Sequence, residues 1–223
     1  MQRSMARSFI VALDGPAASG KGTLAELIAR EYGFAYLDTG SLYRGVAWLL
    51  LEAGLDPGDE RTTAHVARRF SLDQIAGADI RTREVGAAAS KVAAMSSVRK
   101  ALLDFQRNFA LHPPAGKPGA VLDGRDIGSV VCPDADVKFF VVADSRTRAR
   151  RRWLELKDEK PGLTEAEVFA DLAERDARDS ARTDAPMVQA EDAELLDTTD
   201  LTIEAAFAVA RRVIDGVFQR CEG

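Results

Sequence analysis

Two hydrophobic periods alternate along the chain. Short, mainly apolar runs, Phe9–Leu13, Ala120–Asp123 and Val137–Ala143, predict buried strands. Between them apolar residues recur every three or four positions, which predicts helices. Lys21–Glu31 is the first such segment, with Leu24, Leu27 and Ile28 on one face and an end near Gly33. Phe34–Leu37 reads as a short second strand, and Ser41–Ala53 as an apolar helix stopped by Gly54. Asp59–Phe70, Thr82–Met95 and Ser97–Leu111 read as helices, with a serine pair available as a cap between the last two. His112–Gly119 is a proline- and glycine-rich loop. Ser145–Glu159 is a basic helix broken by Lys160-Pro161-Gly162. Thr164 and Glu167 form a capping box for a helix reaching about Ala181. Glu194–Asp197 is a last strand, and Ile203–Phe218 closes the chain.

Strand and helix in alternation imply an α/β fold: a doubly wound, mostly parallel sheet with helices on both faces. The 223 residues suit one domain with insertions. The expected division is a core at about 8–55, 120–145 and 190–220, an insert at about 56–115, and a lid at about 146–162.

Composition narrows the setting. With 46% apolar and 29% charged residues, the expectation is a soluble globular protein. The longest apolar stretch, Val46–Leu51, is far short of a membrane span. Met1–Met5 lacks the apolar core of a signal peptide and is set aside as a tag or an alternative start. Two cysteines, Cys132 and Cys221, are too few for a disulfide framework, so a cytoplasmic location is expected, with Cys132 buried and inert. His65 and His112 have no metal-ligand partner at suitable spacing. The net charge of −5 argues against nucleic acid as a partner.

Gly15-Pro16-Ala17-Ala18-Ser19-Gly20-Lys21-Gly22-Thr23 joins the first strand to the first helix. Glycines let the backbone curl so that successive N–H groups point inward. The helix start adds unpaired N–H groups and the positive end of its dipole. Lys21 adds a full charge at the β/γ-phosphates. A plain strand-to-helix turn needs neither the second glycine nor the lysine. The usual hydroxyl after the lysine arrives one residue late, at Thr23, a form that resembles the nucleoside monophosphate kinases.

Four further segments carry charge. In Asp38-Thr39-Gly40-Ser41-Leu42-Tyr43-Arg44, the arginine lies one turn into a helix, and Asp38 and Thr39 could equally be caps. In Asp123-Gly124-Arg125-Asp126, a carboxylate ends a buried strand where it could hold the water shell of magnesium; a tight Asp-Gly turn is the plainer alternative. Arg175, Asp179 and Arg182 fall within roughly 60° on one helix face, which suits a sugar phosphate, although an exposed helix laced with ion pairs reads the same way. Arg146–Arg152 holds five arginines in seven residues, read as a lid closing on phosphates rather than as a nucleic-acid patch.

In order along the chain, these motifs resemble the bacterial cytidylate (CMP/dCMP) kinases, together with Ile80–Val85, Ala89–Ala94 and Val98-Arg99. The resemblance implies transfer of the γ-phosphoryl group of ATP to CMP or dCMP. A monomer with no membrane partner is expected. The resemblance also implies an ATP site at Gly15–Thr23 and magnesium held, through water, by Thr23 and Asp123. It assigns the cytosine to Ser90, Arg99 and Asp126, the acceptor phosphate to Arg44, Arg125 and Arg182, and the sugar to Arg175 and Asp179. Thr39 joins this CMP set, standing where the family often has serine. Lys21, Arg125, Arg182 and the lid residues Arg151 and Arg152 would stabilise the transferring charge. Longer members carry a small sheet where this chain has the ten residues Phe70–Asp79, too few for three strands. The rivals are a P-loop kinase for AMP, UMP or a non-nucleotide acceptor, and a nucleotide-binding switch without turnover.

Overall fold

The computed structural model describes residues 7–158 and 160–221, without the side chains of 220 and 221. The expectations for Met1–Met5, for Glu159 and for the thiol of Cys221 lie outside these. The elements are β1 (Phe9–Asp14), α1 (Lys21–Tyr32), β2 (Ala35–Asp38), α2 (Thr39–Glu52) and α3 (Glu60–Ala67). There follow α4 (Arg83–Val92), α5 (Ser96–Leu111), β3 (Gly119–Asp123), β4 (Val137–Val142), α6 (Ser145–Leu156), α7 (Glu165–Ser180), β5 (Glu194–Asp197) and α8 (Ile203–Cys221). All strand pairings are parallel, in the order β2-β3-β1-β4-β5.

Strand periodicity sorts the core into two layers. In β1, Ile10 and Ala12 face one way and pack with α2, α4 and α5 around Leu42, Val46, Leu50, Val92 and Leu102. Val11 and Leu13 face the other way, against Leu24 and Ile28 of α1 and Ala210 and Ile214 of α8. A third cluster joins Ala149 of α6 and Val168 and Leu172 of α7 to Ala17 of the phosphate loop. Burial on both faces explains why β1, β3 and β4 read as mainly apolar runs.

Two local expectations are corrected. The serine pair does not cap α5, whose N-cap position is Met95 with no side-chain cap bond. Ser96 and Ser97 reach out instead, donating to the carboxylates of Asp184 and Glu60. Asp38 and Thr39 are not side-chain caps of α2 either. Asp38 pairs with Arg44, and the Thr39 hydroxyl donates to the Asp123 carbonyl at 2.8 Å. The Thr164/Glu167 capping box is present as expected. Between Phe70 and Asp79 lies one 3₁₀ turn, Leu72–Ile75, and no strand. Among the described residues no helix is long and apolar enough to cross a membrane.

Candidate active site

The carboxyl ends of all five strands meet one cleft, as parallel α/β topology requires. β1 delivers the phosphate loop. Gly15 sits at φ +141°, where a Cβ would collide with the Val141 carbonyl oxygen of β4. Ala18 (φ +59°) and Gly20 (φ +85°) are also left-handed, so the loop curls as the glycines predict. Arg148 donates to the Ala17 carbonyl at 3.2 Å, and the Thr198 hydroxyl donates to the Ser19 carbonyl at 2.8 Å. Carbonyls held from outside leave the loop's N–H groups to face inward.

Lys21 opens α1 and is buried. Its Nζ lies 3.5 Å from Oδ1 of Asp123, at the end of β3. Burial, and then the positive Arg125, push the lysine down to about 8. Burial likewise raises Asp123, against the pull of Lys21. Desolvation drives each of the two groups toward its neutral form, and the charge of each opposes that drive in the other. Tyr36 donates to the other Asp123 oxygen at 3.4 Å. A Cβ on Gly22 would stand 3.2 Å from that same oxygen, whereas Thr23 is exposed. The residue facing the carboxylate is therefore Gly22, and its missing side chain leaves the approach to Asp123 open.

Across the cleft three arginines surround one carboxylate. Asp179 is 1% exposed. It accepts from Arg125 Nε at 3.0 Å and from Arg182, with Arg175 Nε at 3.9 Å. The helical stripe thus centres on a buried carboxylate, with Arg182 largely covered and Arg175 half-buried beside it. Burial, followed by Arg125, lowers Arg175 to about 10. The Nε groups of Arg44, Arg175 and Arg182 are buried without a partner. Unsatisfied donors of this kind, converging from three places, suit an anion. Burial opposes the charge on Asp38, but Arg44 and then Lys21 hold its pKa below the usual carboxylate range.

A third group lies deeper. Arg99 of α5 pairs with Asp126 and donates to the Ala93 carbonyl at 3.3 Å. Its guanidinium stands 5.6 Å from the centre of the Tyr43 ring. Ser90 of α4 is buried, its hydroxyl unpartnered. The structure therefore brings together Lys21, Asp123, Arg44, Arg125, Arg175, Asp179 and Arg182, with Arg99 and Asp126 behind them.

The basic helix divides its arginines. Arg148 is buried and forms a 2.7 Å pair with Asp176. Arg151 gives both terminal nitrogens to Thr198. Arg152 pairs with Glu155 at 2.9 Å. The thiol of Cys132 is buried and pushed up to about 11 by that burial, which suits an inert side chain.

Sequence reasoning missed Asp14. This carboxylate ends β1 and accepts the N–H groups of Ile127 and Gly128, each at 2.7 Å. It thereby fixes the turn that carries Arg125 and Asp126. Burial raises it to about 7 although both N–H groups pull the other way. The available signal was an acidic residue closing an apolar run, the same signal used for Asp123. Tyr36 and Thr198 gave no signal, because nothing in the chain announces a partner 87 or 179 residues away.

A glycine-rich phosphate loop on a parallel sheet, facing buried arginines, defines a small-molecule kinase of the P-loop class. The chain belongs to the cytidylate kinase family, whose family model matches residues 11–216. A cytidylate kinase from Paramagnetospirillum magneticum is 55% identical over 207 residues, spanning 93% of this chain and 98% of its own. One from Rhodospirillum rubrum is 51% identical over 205 residues, spanning 92% and 96%. Among solved structures, an uncharacterized protein from Eubacterium ventriosum aligns with a TM-score of 0.54 over 93% of this chain and 99% of its own. At 14% identity that likeness is one of fold alone.

Proposed function

We propose that the cleft performs its family's reaction through a division of labour between its two walls. The γ-phosphoryl group of ATP passes to the phosphate of CMP or dCMP: a P–O bond to the acceptor oxygen forms as the bond to the β-phosphate oxygen breaks. The observation that carries this reading is the set of unpartnered buried arginine nitrogens, at Arg44, Arg175 and Arg182, in the cleft that holds Lys21. Gly15–Thr23 takes the donor phosphates, with backbone N–H groups and Lys21 as the ligands. Arg44, Arg125 and Arg182 take the acceptor phosphate. Arg175 and Asp179 hold the sugar, and Ser90, Arg99 and Asp126 read the cytosine, with Thr39 fixing the strand end beside them. Arg151 and Arg152 approach from the lid side.

Cytosine offers the acceptors O2 and N3 beside an N4 amino donor, and an arginine with a carboxylate complements that edge. Phosphoryl transfer asks little covalent chemistry of the protein, so positioning and charge neutralisation dominate. Magnesium, bound with ATP, neutralises charge on the phosphates. The residues fit it: when Lys21 turns from Asp123 to a phosphate, a buried carboxylate is released, and Gly22 leaves the space beside it open. Asp123 would hold the ion through water, and Thr23, in the first turn of the helix, is left to the donor phosphates.

The deciding experiment is ADP release with CMP, dCMP, UMP, AMP and no acceptor. We expect turnover with the cytidine nucleotides well above the others. Equal turnover with UMP or AMP would defeat the base assignment, and nucleotide binding without acceptor-dependent turnover would favour a switch.

A further inference from the structure

We propose that Thr198 is a positioning residue for the donor phosphate loop, because its hydroxyl joins the Ser19 carbonyl of that loop to the Arg151 guanidinium. The proposal rests on reading Gly15–Thr23 as the ATP loop. Thr198 follows β5 directly and is buried. A threonine hydroxyl has one proton to give and lone pairs to receive. Here it donates to the Ser19 carbonyl at 2.8 Å, with the Val142 carbonyl at 3.1 Å, and accepts from Arg151 at 3.0 Å. The Thr198 carbonyl accepts the other terminal nitrogen of Arg151 at 2.6 Å, and its own N–H donates to Val142 at 2.8 Å. One residue thus holds both prongs of the guanidinium and is itself tied to β4.

What it holds on the loop side is strained. Ser19 lies between Ala18 and Gly20, both left-handed, and Ala18 carries a Cβ in that conformation. Such a conformation persists when its surroundings fix it. A Cβ on Gly20 would stand 4.0 Å from an Arg151 terminal nitrogen, so the latched arginine lies directly over the loop. The hydrogen bonds described for Thr198 are to Ser19, Val142, Arg151 and Leu201, none of which belongs to the Arg99, Asp126 and Asp179 groups. Its effect should therefore fall on the donor.

Thr198→Val keeps the shape and removes every hydrogen bond of the hydroxyl, whereas Thr198→Ser keeps them. We expect Thr198→Val to raise KM for ATP about tenfold. KM for CMP should stay at the parent value, and the affinity for a non-hydrolysable ATP analogue should weaken in parallel. Thr198→Ser should restore the parent behaviour. An unchanged KM for ATP, an equal rise for both substrates, or a serine variant as impaired as the valine variant overturns the proposal. If Thr198→Val does not fold, Arg151→Lys opens the same latch from the other side while keeping the charge. The same split, at smaller size, is then expected, and its absence overturns the proposal. A parent protein that fails to phosphorylate CMP refutes the proposed reaction instead, and the ATP-analogue titration still decides the role of Thr198.

Discussion

The two walls that the proposed function assigns to donor and acceptor are built in different ways. The donor wall is backbone: nine consecutive residues, Gly15–Thr23, whose curl depends on φ values of +141° at Gly15 and +85° at Gly20. The acceptor wall is side chain: carboxylates and arginines from β2, α2, α5, the β3 end and α7, satisfied largely by one another. A backbone site fails when a Cβ is added. A side-chain site fails when one partner of a buried pair is removed, because the other is left charged in a poor solvent. Lys21 stands between the walls, paired to a carboxylate of the β3 end while sitting in the donor helix.

The largest effect is therefore expected at Lys21. Lys21→Ala should lower kcat by at least roughly a hundredfold, the range seen when one preorganised charge-stabilising donor is lost. It also leaves Asp123 buried without its cation, so the melting temperature should fall while the far-ultraviolet circular dichroism stays native. A CMP-dependent ADP-release assay on the folded variant checks the first part. Activity above about a tenth of the parent, only some 1.4 kcal/mol of barrier, would sink the role.

The same contrast decides what could be read from the chain. The donor wall was legible because its chemistry is contiguous: strand, glycines, lysine and helix lie within about twenty residues, and each has a local reason. The central strands were legible too, since burial on both faces writes itself as mainly apolar runs, and the exposed edge strand β5 matches the expected Glu194–Asp197 residue for residue. The acceptor wall came through as fragments. Taken alone, Arg175, Asp179 and Arg182 read better as a solvated stripe, whereas in the structure Asp179 is buried against Arg125, 54 residues away. Their roles entered through a family resemblance and not through spacing. Local capping chemistry misled at Ser96 and Ser97 because tertiary partners, Asp184 and Glu60, won the hydroxyls. Asp14 and Thr198 stayed hidden because both work by holding backbone that is distant in sequence.

Asp14 joins the walls, since it ends the strand that leads into the donor loop and grips the turn carrying the acceptor residues. A pH series tests how it is held. Its pKa is 3.8 when unfolded and about 7 when folded, with burial as the leading cause. Between those values the folded state binds more protons than the unfolded one, so stability must fall as pH rises through that window. The loss should approach roughly 1.4 kcal/mol per pH unit there and level off above it. Chemical denaturation of the parent and of Asp14→Asn, which cannot titrate at this position, isolates the slope. The stability difference should move in favour of the asparagine variant as pH rises from 3.8 to about 7. A flat difference would mean that Asp14 is not desolvated as the structure has it.

The smallest effect is the most specific, and it belongs to the acceptor wall alone. Asp126 is buried and paired with Arg99, so Asp126→Asn keeps an oxygen for the arginine but removes the charge. If the carboxylate accepts from the cytosine N4 amino group, the amide can do the same. It can also flip and donate to uracil O4, which a carboxylate cannot do. A base-edge pair of this kind contributes about 1–3 kcal/mol of discrimination. The CMP/UMP ratio of kcat/KM should therefore fall by roughly 5- to 150-fold. KM for ATP should hold, because the donor wall shares no described contact with Asp126. The competing account is purely structural: Asp126 precedes the turn at Ile127–Val131, and its carbonyl accepts from Val130 and Val131. Those bonds are made by backbone and survive the substitution, so a structural role predicts a lower melting temperature at most, with the ratio unchanged. Kinetics with both acceptors beside a thermal melt separate the two accounts, and an unmoved ratio would remove Asp126 from base recognition even if Arg99 stays in it.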